Sequence, residues 1–415
     1  MKVNKWLLLL ALVALVAIAI NACAPSGGGG AALNCTDKIG CVKIGPSDTI
    51  HIAYMRVVSG SDGALGQDTR NGAEIAIDDL GGSIINHKIK WDGQDSGCGA
   101  EGGQTAASKL AADTTIVAVV GSTCSSEWTA GGATICNAGF VAISPSATSP
   151  VLTDPAQRTK WPCFYRVAQN DKVQGSVAAQ FVYNKLGFKN AATVHDGGPY
   201  TQGLVGAFTD AYTKLGGKVV DAEAVDPNGT DMKPVLTKIA AAKPDIIYYP
   251  IFTAAAGFIT SQAKGVSGLE KVTLMTADGA FGPSFYKAAG DAAAGTYHSS
   301  PDFSAFPGGY PQFVDKYKKK FNTAPISTYH AFAYDAVMMF ADAIKRAAQV
   351  GSDGTVLIGR QALRDAVSSI KDLKLITGTI TCDANGDCAD PHITASRSAQ
   401  WADCHFLRCL RYIVF

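Results

Sequence analysis

Four short stretches carry residues able to do chemistry, and each follows an apolar run. After Thr115–Val120 (TIVAVV) come Gly121-Ser122-Thr123-Cys124-Ser125-Ser126. After FVAIS come Pro145-Ser146-Ala147-Thr148-Ser149-Pro150. After AATVH come Asp196-Gly197-Gly198-Pro199-Tyr200, and after TLMT come Ala277-Asp278-Gly279. Hydroxyl residues that open a helix stand beside first-turn N–H groups with no partner, a cradle for an anion such as a carboxylate. Serine there reads equally as an ordinary N-cap. Two polar turns in the first half, facing an aromatic and a carboxylate in the second, suit a zwitterion held between two lobes.

The same residues argue against turnover. His195 and Asp196 could serve acid–base work, but no Gly-x-Ser-x-Gly elbow supplies a nucleophile. No Gly-x-Gly-x-x-Gly follows the first strand. The clustered cysteines include no CxxC pair, and no His stands at ligand spacing, so zinc is not expected. Asp383-Ala384-Asn385-Gly386-Asp387 opens like a calcium loop, but its sixth position is Cys388 and no Glu follows at the twelfth. An Asn-Gly hairpin turn between Leu375–Thr381 and Ala389 is the reading taken. No catalytic residue, metal or cofactor is expected.

The elements that must position these turns alternate. Strands are expected at Thr49–Val58, 115–120, 140–143, 191–195, 218–222, 245–249 and 272–275. Helices are expected at Asn71–Leu80, 125–137, 171–186, 201–215, 231–242, 254–264, 310–321 and 328–350, the last stopped by Gly351. Such alternation means parallel sheets with helices on both faces. The units are too many for one sheet, so two doubly wound lobes are the economical α/β answer, with ligand beyond the carboxyl ends of the strands. Length alone, 415 residues, agrees with more than one domain. Charge is balanced, 36 Lys+Arg against 35 Asp+Glu, which argues against nucleic acid as a partner.

Lys2 and Lys5 precede an apolar run from Trp6 to Ile20, too short to span a bilayer and typical of an export signal. Ile20-Asn21-Ala22-Cys23 resembles a bacterial lipobox. Residues 1–22 are therefore read as a lipoprotein signal peptide, Cys23 as the lipidated residue, and 23–45 as anchor and flexible linker. No later run approaches 18 apolar residues. Setting Cys23 aside leaves ten cysteines, an even number that suits an oxidising compartment. Cys35 with Cys41 and Cys382 with Cys388 are local pairs. Cys98 with Cys124 and Cys136 with Cys163 are longer candidates, and Cys404 and Cys409 remain.

The segments SGSDGALGQDTRNGAEIAIDD (59–79), GSTCSSEWTAGGATICNAG (121–139), ISPSATSPVLT (143–153), HDGGPYTQGL (195–204), YYPIF (248–252) and TADGAFG (276–282) carry a resemblance. In this order they resemble the branched-chain amino acid-binding proteins of ABC importers, a type I periplasmic binding protein group, from about Ile50 to about Asp390. The resemblance implies that Ser125 and Thr148 bind the ligand carboxylate. It implies that the backbone at Ser146 helps hold the amino acid core and that Asp278 pairs with the ammonium. Tyr200 and Phe252 would cover the ligand, and Cys98–Cys124 would match a family disulfide. Leu65 and Thr123 depart from the family's usual aromatic and apolar residues. With Phe281 they are the candidates for the side-chain pocket, so the ligand side chain stays open. Asp278 is one methylene shorter than the frequent Glu.

The resulting expectation is a monomeric, lipid-anchored solute receptor on the outer face of the cytoplasmic membrane, handing an amino acid to ABC permease subunits. The alternative is a sensory module for amides, urea or amino acids. The amino-terminal lobe would hold 46–166 plus 303–350, the second 167–302 plus 351–390, joined by a three-strand hinge. After His392 the strand pattern fails. Residues 391–415 read either as a divergent tail or as a shifted frame that replaced the last strand.

Overall fold

The computed structural model describes residues 33–306, 308–398 and 410–413. The export segment, Cys23, the linker up to residue 32, Cys404 and Cys409 lie outside the described residues; within the rest of the expected linker, Cys41–Ile44 is a strand.

Two sheets organise the chain. The first runs, in spatial order, Ser83–Ile84, His87–Asp95, Ile50–Arg56, Ile116–Gly121, Ala142–Ser144 and Phe164–Arg166. All neighbours are parallel except the short Ser83–Ile84. The second runs Leu410–Ile413, Ile393–Ser398, Tyr297–Pro301, Thr273–Ala277, Ile246–Tyr248, Asn190–His195 and Lys218–Ala224, with only the first two strands antiparallel to their neighbours. In each sheet the first parallel strand in sequence lies between the second and third. This is the doubly wound order whose crevice opens where the winding reverses. Those switch points are Ile50–Arg56 beside Ile116–Gly121, and Asn190–His195 beside Ile246–Tyr248. Central strands are buried along their whole length, as IVAVVG at 116–121 is, which is why they read as continuous apolar runs.

Helix Gly63–Asp79 begins eight residues before the Asn71 start expected from periodicity. Gly63, Gly66 and Gly72 mask it in the sequence because glycine disfavours helices. Packing demands two of them: a Cβ on Gly66 would stand 1.6 Å from the Val57 carbonyl oxygen, and one on Gly72 1.8 Å from that of His330. The glycine at 72 lets this helix seat against His330–Ala347. That second helix stops at Ala347, short of Gly351, because Ala348–Val350 leaves it to pair with Val356–Gly359.

Three crossovers join the lobes and lie side by side. Arg166 N–H donates to the Gly386 carbonyl and Cys388 N–H to that of Arg166, both at 2.9 Å, and Asp302 N–H donates to the His392 carbonyl at 2.8 Å. Segment 351–390, expected with the second lobe, packs on the first. Val356–Gly359 pairs with Cys41–Ile44, Leu363 and Val367 enter the first lobe's core, and Arg364 donates to the Phe140 carbonyl. Arg360 and Arg364 anchor this segment to first-lobe carbonyls that a sequence pattern does not display. The expected failure of pattern after His392 is also corrected at its start. Ile393–Ser398 is a strand antiparallel to Tyr297–Pro301, and it hides from an alternation test because Thr394, Ser396 and Ser398 are buried hydroxyls.

Disulfides join Cys35–Cys41, Cys98–Cys124, Cys136–Cys163 and Cys382–Cys388. The last closes the Asp383–Asp387 turn, in which the Asp383 carboxylate accepts from the N–H groups of Asn385 and Asp387.

Candidate functional site

The polar turns meet between the lobes. Leu65, Thr123, Cys124, Ser125, Ser146 and Tyr329 from the first lobe, and Tyr200, Phe252, Asp278 and Gly279 from the second, line one small cavity. Seven residues singled out in the sequence therefore converge: Leu65, Thr123, Ser125, Ser146, Tyr200, Phe252 and Asp278. Phe281 does not line the cavity; its ring packs edge-on against His298 at 5.3 Å. Thr148 also stands outside the lining, its hydroxyl donating to Asp171 at 3.1 Å.

On the first-lobe side, Ser125 opens the helix Ser125–Asn137. None of the three serines of the turn caps it. Glu127 reaches back instead and accepts from the N–H groups of Thr123 and Cys124, both at 2.9 Å, from Cys98 N–H at 2.9 Å and from the Ser96 hydroxyl at 2.6 Å. Burial raises its carboxyl to about 7 despite those donors. Ser125 Oγ accepts from Ser149 N–H at 3.2 Å, which leaves its own proton for a ligand. Ser146 directs its hydroxyl to the Thr123 carbonyl at 2.8 Å and its N–H to Ser144 Oγ at 3.2 Å. Its carbonyl is then the group it can offer an ammonium. Cys98, Cys124 and Glu127 lie close enough to suggest a metal site, but the two sulfurs are bonded to each other and supply no thiolate.

Arg166, which the sequence reading did not single out, holds the second hydroxyl turn from behind. Fully buried, it donates to the carbonyls of Ala147 (3.3 Å) and Ser149 (2.8 Å) and to Thr153 Oγ1 (2.6 Å), and it pairs with Asp387 of the disulfide-closed turn.

On the second-lobe side, Asp278 is 1% exposed at the end of Thr273–Ala277. Its Oδ1 accepts from Gln174 Nε2 at 2.6 Å and from the Tyr200 hydroxyl at 2.9 Å, and its Oδ2 accepts from the Tyr329 hydroxyl. Burial pushes this carboxyl above its ordinary range, and the hydrogen bonds from Tyr329, Gln174 and Tyr200 oppose the rise. Asp171 is pushed well up, first by burial and then by the charge of Asp278. The Tyr200 and Tyr329 phenols rise for the same two reasons. A ligand cation beside Asp278 would relieve this excess of buried negative charge. Tyr200 and Phe252 pack on the same wall with ring centroids 5.2 Å apart and planes tilted by 44°. Tyr329, Gln174 and Asp171 escaped sequence reading because a tyrosine before a helix and polar residues in a first turn are ordinary there.

Two doubly wound lobes, three adjacent crossovers and a polar cavity between the strand ends are the architecture of a two-lobed solute-binding protein. A family model described as "Periplasmic binding protein" matches residues 49–395, and the chain belongs to that family. An "Amino acid binding protein" of Pseudomonas aeruginosa is 30% identical over 208 residues, 50% of this chain and 54% of that one, so the match spans about half its length. The Rhizobium johnstonii "Leu/Ile/Val-binding protein BraC3" is 25% identical over 340 residues, 81% of this chain and 88% of that one. The Streptococcus pneumoniae branched-chain amino acid transporter substrate binding protein, solved with isoleucine, is 27% identical with a TM-score of 0.73, covering 85% of this chain and 96% of that one. The chain is thus a member of the periplasmic binding protein family, similar over four-fifths of its length to proteins named for binding leucine, isoleucine and valine.

Proposed function

We propose that this chain is the extracytoplasmic solute receptor of an ABC importer. Lipid on Cys23 holds it at the outer face of the cytoplasmic membrane, and it binds one small amino acid, branched-chain or otherwise aliphatic, between its lobes. The observation that supports this reading best is that Asp278 and Ser125 line one cavity from opposite lobes. An α-amino acid needs an anionic acceptor for its ammonium and donors for its carboxylate. Asp278 is the acceptor. The Ser125 hydroxyl and the helix it opens are the donors.

Leu65, Phe252 and the ring of Tyr200 offer apolar surface to the ligand's side chain. Binding closes the lobes about the three crossovers, and the closed monomer is the form presented to permease subunits. No bond is made or broken.

Native mass spectrometry of the purified protein tests the ligand class. A retained mass equal to one small aliphatic amino acid is expected, and a retained compound without an α-amino acid core counts against the reading. Membrane fractionation tests the anchor: Cys23→Ser should release the protein, and unchanged membrane association would refute lipidation.

A further inference from the structure

A second, small cavity is lined by Tyr54, Arg56, Arg70, Trp91 and Thr123 among others. Thr123 also lines the first cavity, so its side chain stands between the two. The second cavity sits at the carboxyl end of Ile50–Arg56, where that strand meets Ile116–Gly121. This is the switch point of the first sheet, where such folds place ligands.

Two of its donors, on Arg56 and Trp91, have no acceptor. Arg56 is only 6% exposed. Its guanidinium lies over the Tyr54 ring at 3.7 Å, and among the described residues no carboxylate comes within 4.0 Å of it. Arg56 Nη1 is buried with no hydrogen-bond partner, and so is Trp91 Nε1, whose ring lies 5.2 Å from that of Tyr54. Arg70 reaches the same space but is paired with Glu74. The Thr69 hydroxyl is spent on the Gly66 carbonyl. Burial lowers Arg56 to about 10, which leaves it charged at neutral pH. A buried cation and a buried indole N–H that lack acceptors are each unfavourable and point to a missing partner.

We infer that this cavity binds a small anion of the carboxylate class, held by Arg56 and the Trp91 indole N–H. The carboxylate has two sources. It is the distal end of a solute whose amino-acid end occupies the first cavity, reaching past Thr123, or it is a separate small carboxylate. The first source rests on the amino-acid site of the proposed function and replaces its aliphatic ligand with an acidic amino acid.

Titration calorimetry on the exported chain, with L-leucine, L-glutamate and acetate as probes, separates the outcomes. Wild type should bind glutamate or acetate, and Arg56→Met should weaken that binding about ten- to hundred-fold, the loss of a charge-assisted hydrogen bond. Leucine affinity should stay within about twofold. Arg56-dependence for glutamate alone identifies the distal carboxylate. Saturable acetate binding that depends on Arg56 and does not compete with an amino acid identifies the separate anion. Should Arg56→Met fail to fold, Trp91→Phe keeps an aromatic ring, removes the indole N–H and should weaken the same probe severalfold. Equal affinities in wild type and variants for both probes, or no binding of either probe to wild type, overturns the inference. Asp278→Asn distinguishes the two claims. If it leaves every amino acid unaffected while acetate binding still depends on Arg56, the proposed function fails and the anion site stands.

Discussion

Tyr329 of the first lobe donates its hydroxyl to the Asp278 carboxylate of the second. The bond crosses the cleft and occupies an oxygen that a ligand ammonium would use. With Gln174 and Tyr200 on the other oxygen, the protein's own donors surround the acid before any solute arrives. Tyr329→Phe should therefore loosen closure as well as the site. Small-angle scattering should show a larger radius of gyration, and affinity should fall by about tenfold, the scale of one hydrogen bond to a charged group. An unchanged radius and affinity would assign Tyr329 to packing alone.

Ligand affinity should fall on acidification. Asp278 titrates above its ordinary range because it is buried, and an ammonium binds only its ionised form. Affinity is complete above the raised pKa and is lost as pH falls through it, beginning at a higher pH than a free aspartate would give. Binding in that window should release a proton, which calorimetry in buffers of different ionisation enthalpy reads directly. Proton uptake on binding would reverse the assignment.

The Cys98–Cys124 bridge fixes the chain just before Ser125 and spans a sequence separation of 26. Replacing both cysteines with alanine should cost about 2–4 kcal/mol of stability. It should also weaken ligand binding, since Cys124 lines the cavity. Chemical denaturation with and without reductant checks the first effect, and calorimetry on the variant checks the second.

His298 supplies a separate acid sensitivity. It is fully buried among Phe281, Phe285 and Tyr286, with Nε2 2.9 Å from Ser398 Oγ, and burial lowers its pKa to about 3. The unfolded chain binds that proton near pH ~6.5. The neutral ring's contribution is complete above ~6.5 and declines as pH falls toward about 3, because the unfolded state holds more protons across that window. His298→Gln should reduce the slope of stability against pH between 6.5 and 4.5 relative to wild type. An identical slope would mean the ring is charged when folded.

What the sequence reveals is what periodicity and strand-end chemistry encode. The turns at Ser125, Ser146, Tyr200 and Asp278 are legible because each follows an apolar run that must be a buried strand, and strand ends are where doubly wound sheets bind. The partners of Asp278 are not legible, because Gln174 lies 104 positions away and Tyr329 51 and no local pattern marks either. The same holds for Arg166 behind the second turn, and for the Arg360 and Arg364 contacts that draw segment 351–390 onto the first lobe. Ile393–Ser398 fails an apolar alternation test because three of its buried positions, Thr394, Ser396 and Ser398, are hydroxyls; Ser398 is met only by the distant residues His298 and Tyr286.

The central claim, that Asp278 receives the ammonium of an α-amino acid whose carboxylate meets Ser125, is tested most directly by one calorimetric comparison. Wild type and Asp278→Asn are titrated with the same L-amino acid and with its deaminated analogue. The account predicts tight binding of the amino acid to wild type and a loss of about ten- to hundred-fold in Asp278→Asn. It predicts little or no binding of the deaminated analogue to either protein. Equal affinity of the two proteins for the amino acid, or preference of wild type for the deaminated analogue, would contradict it.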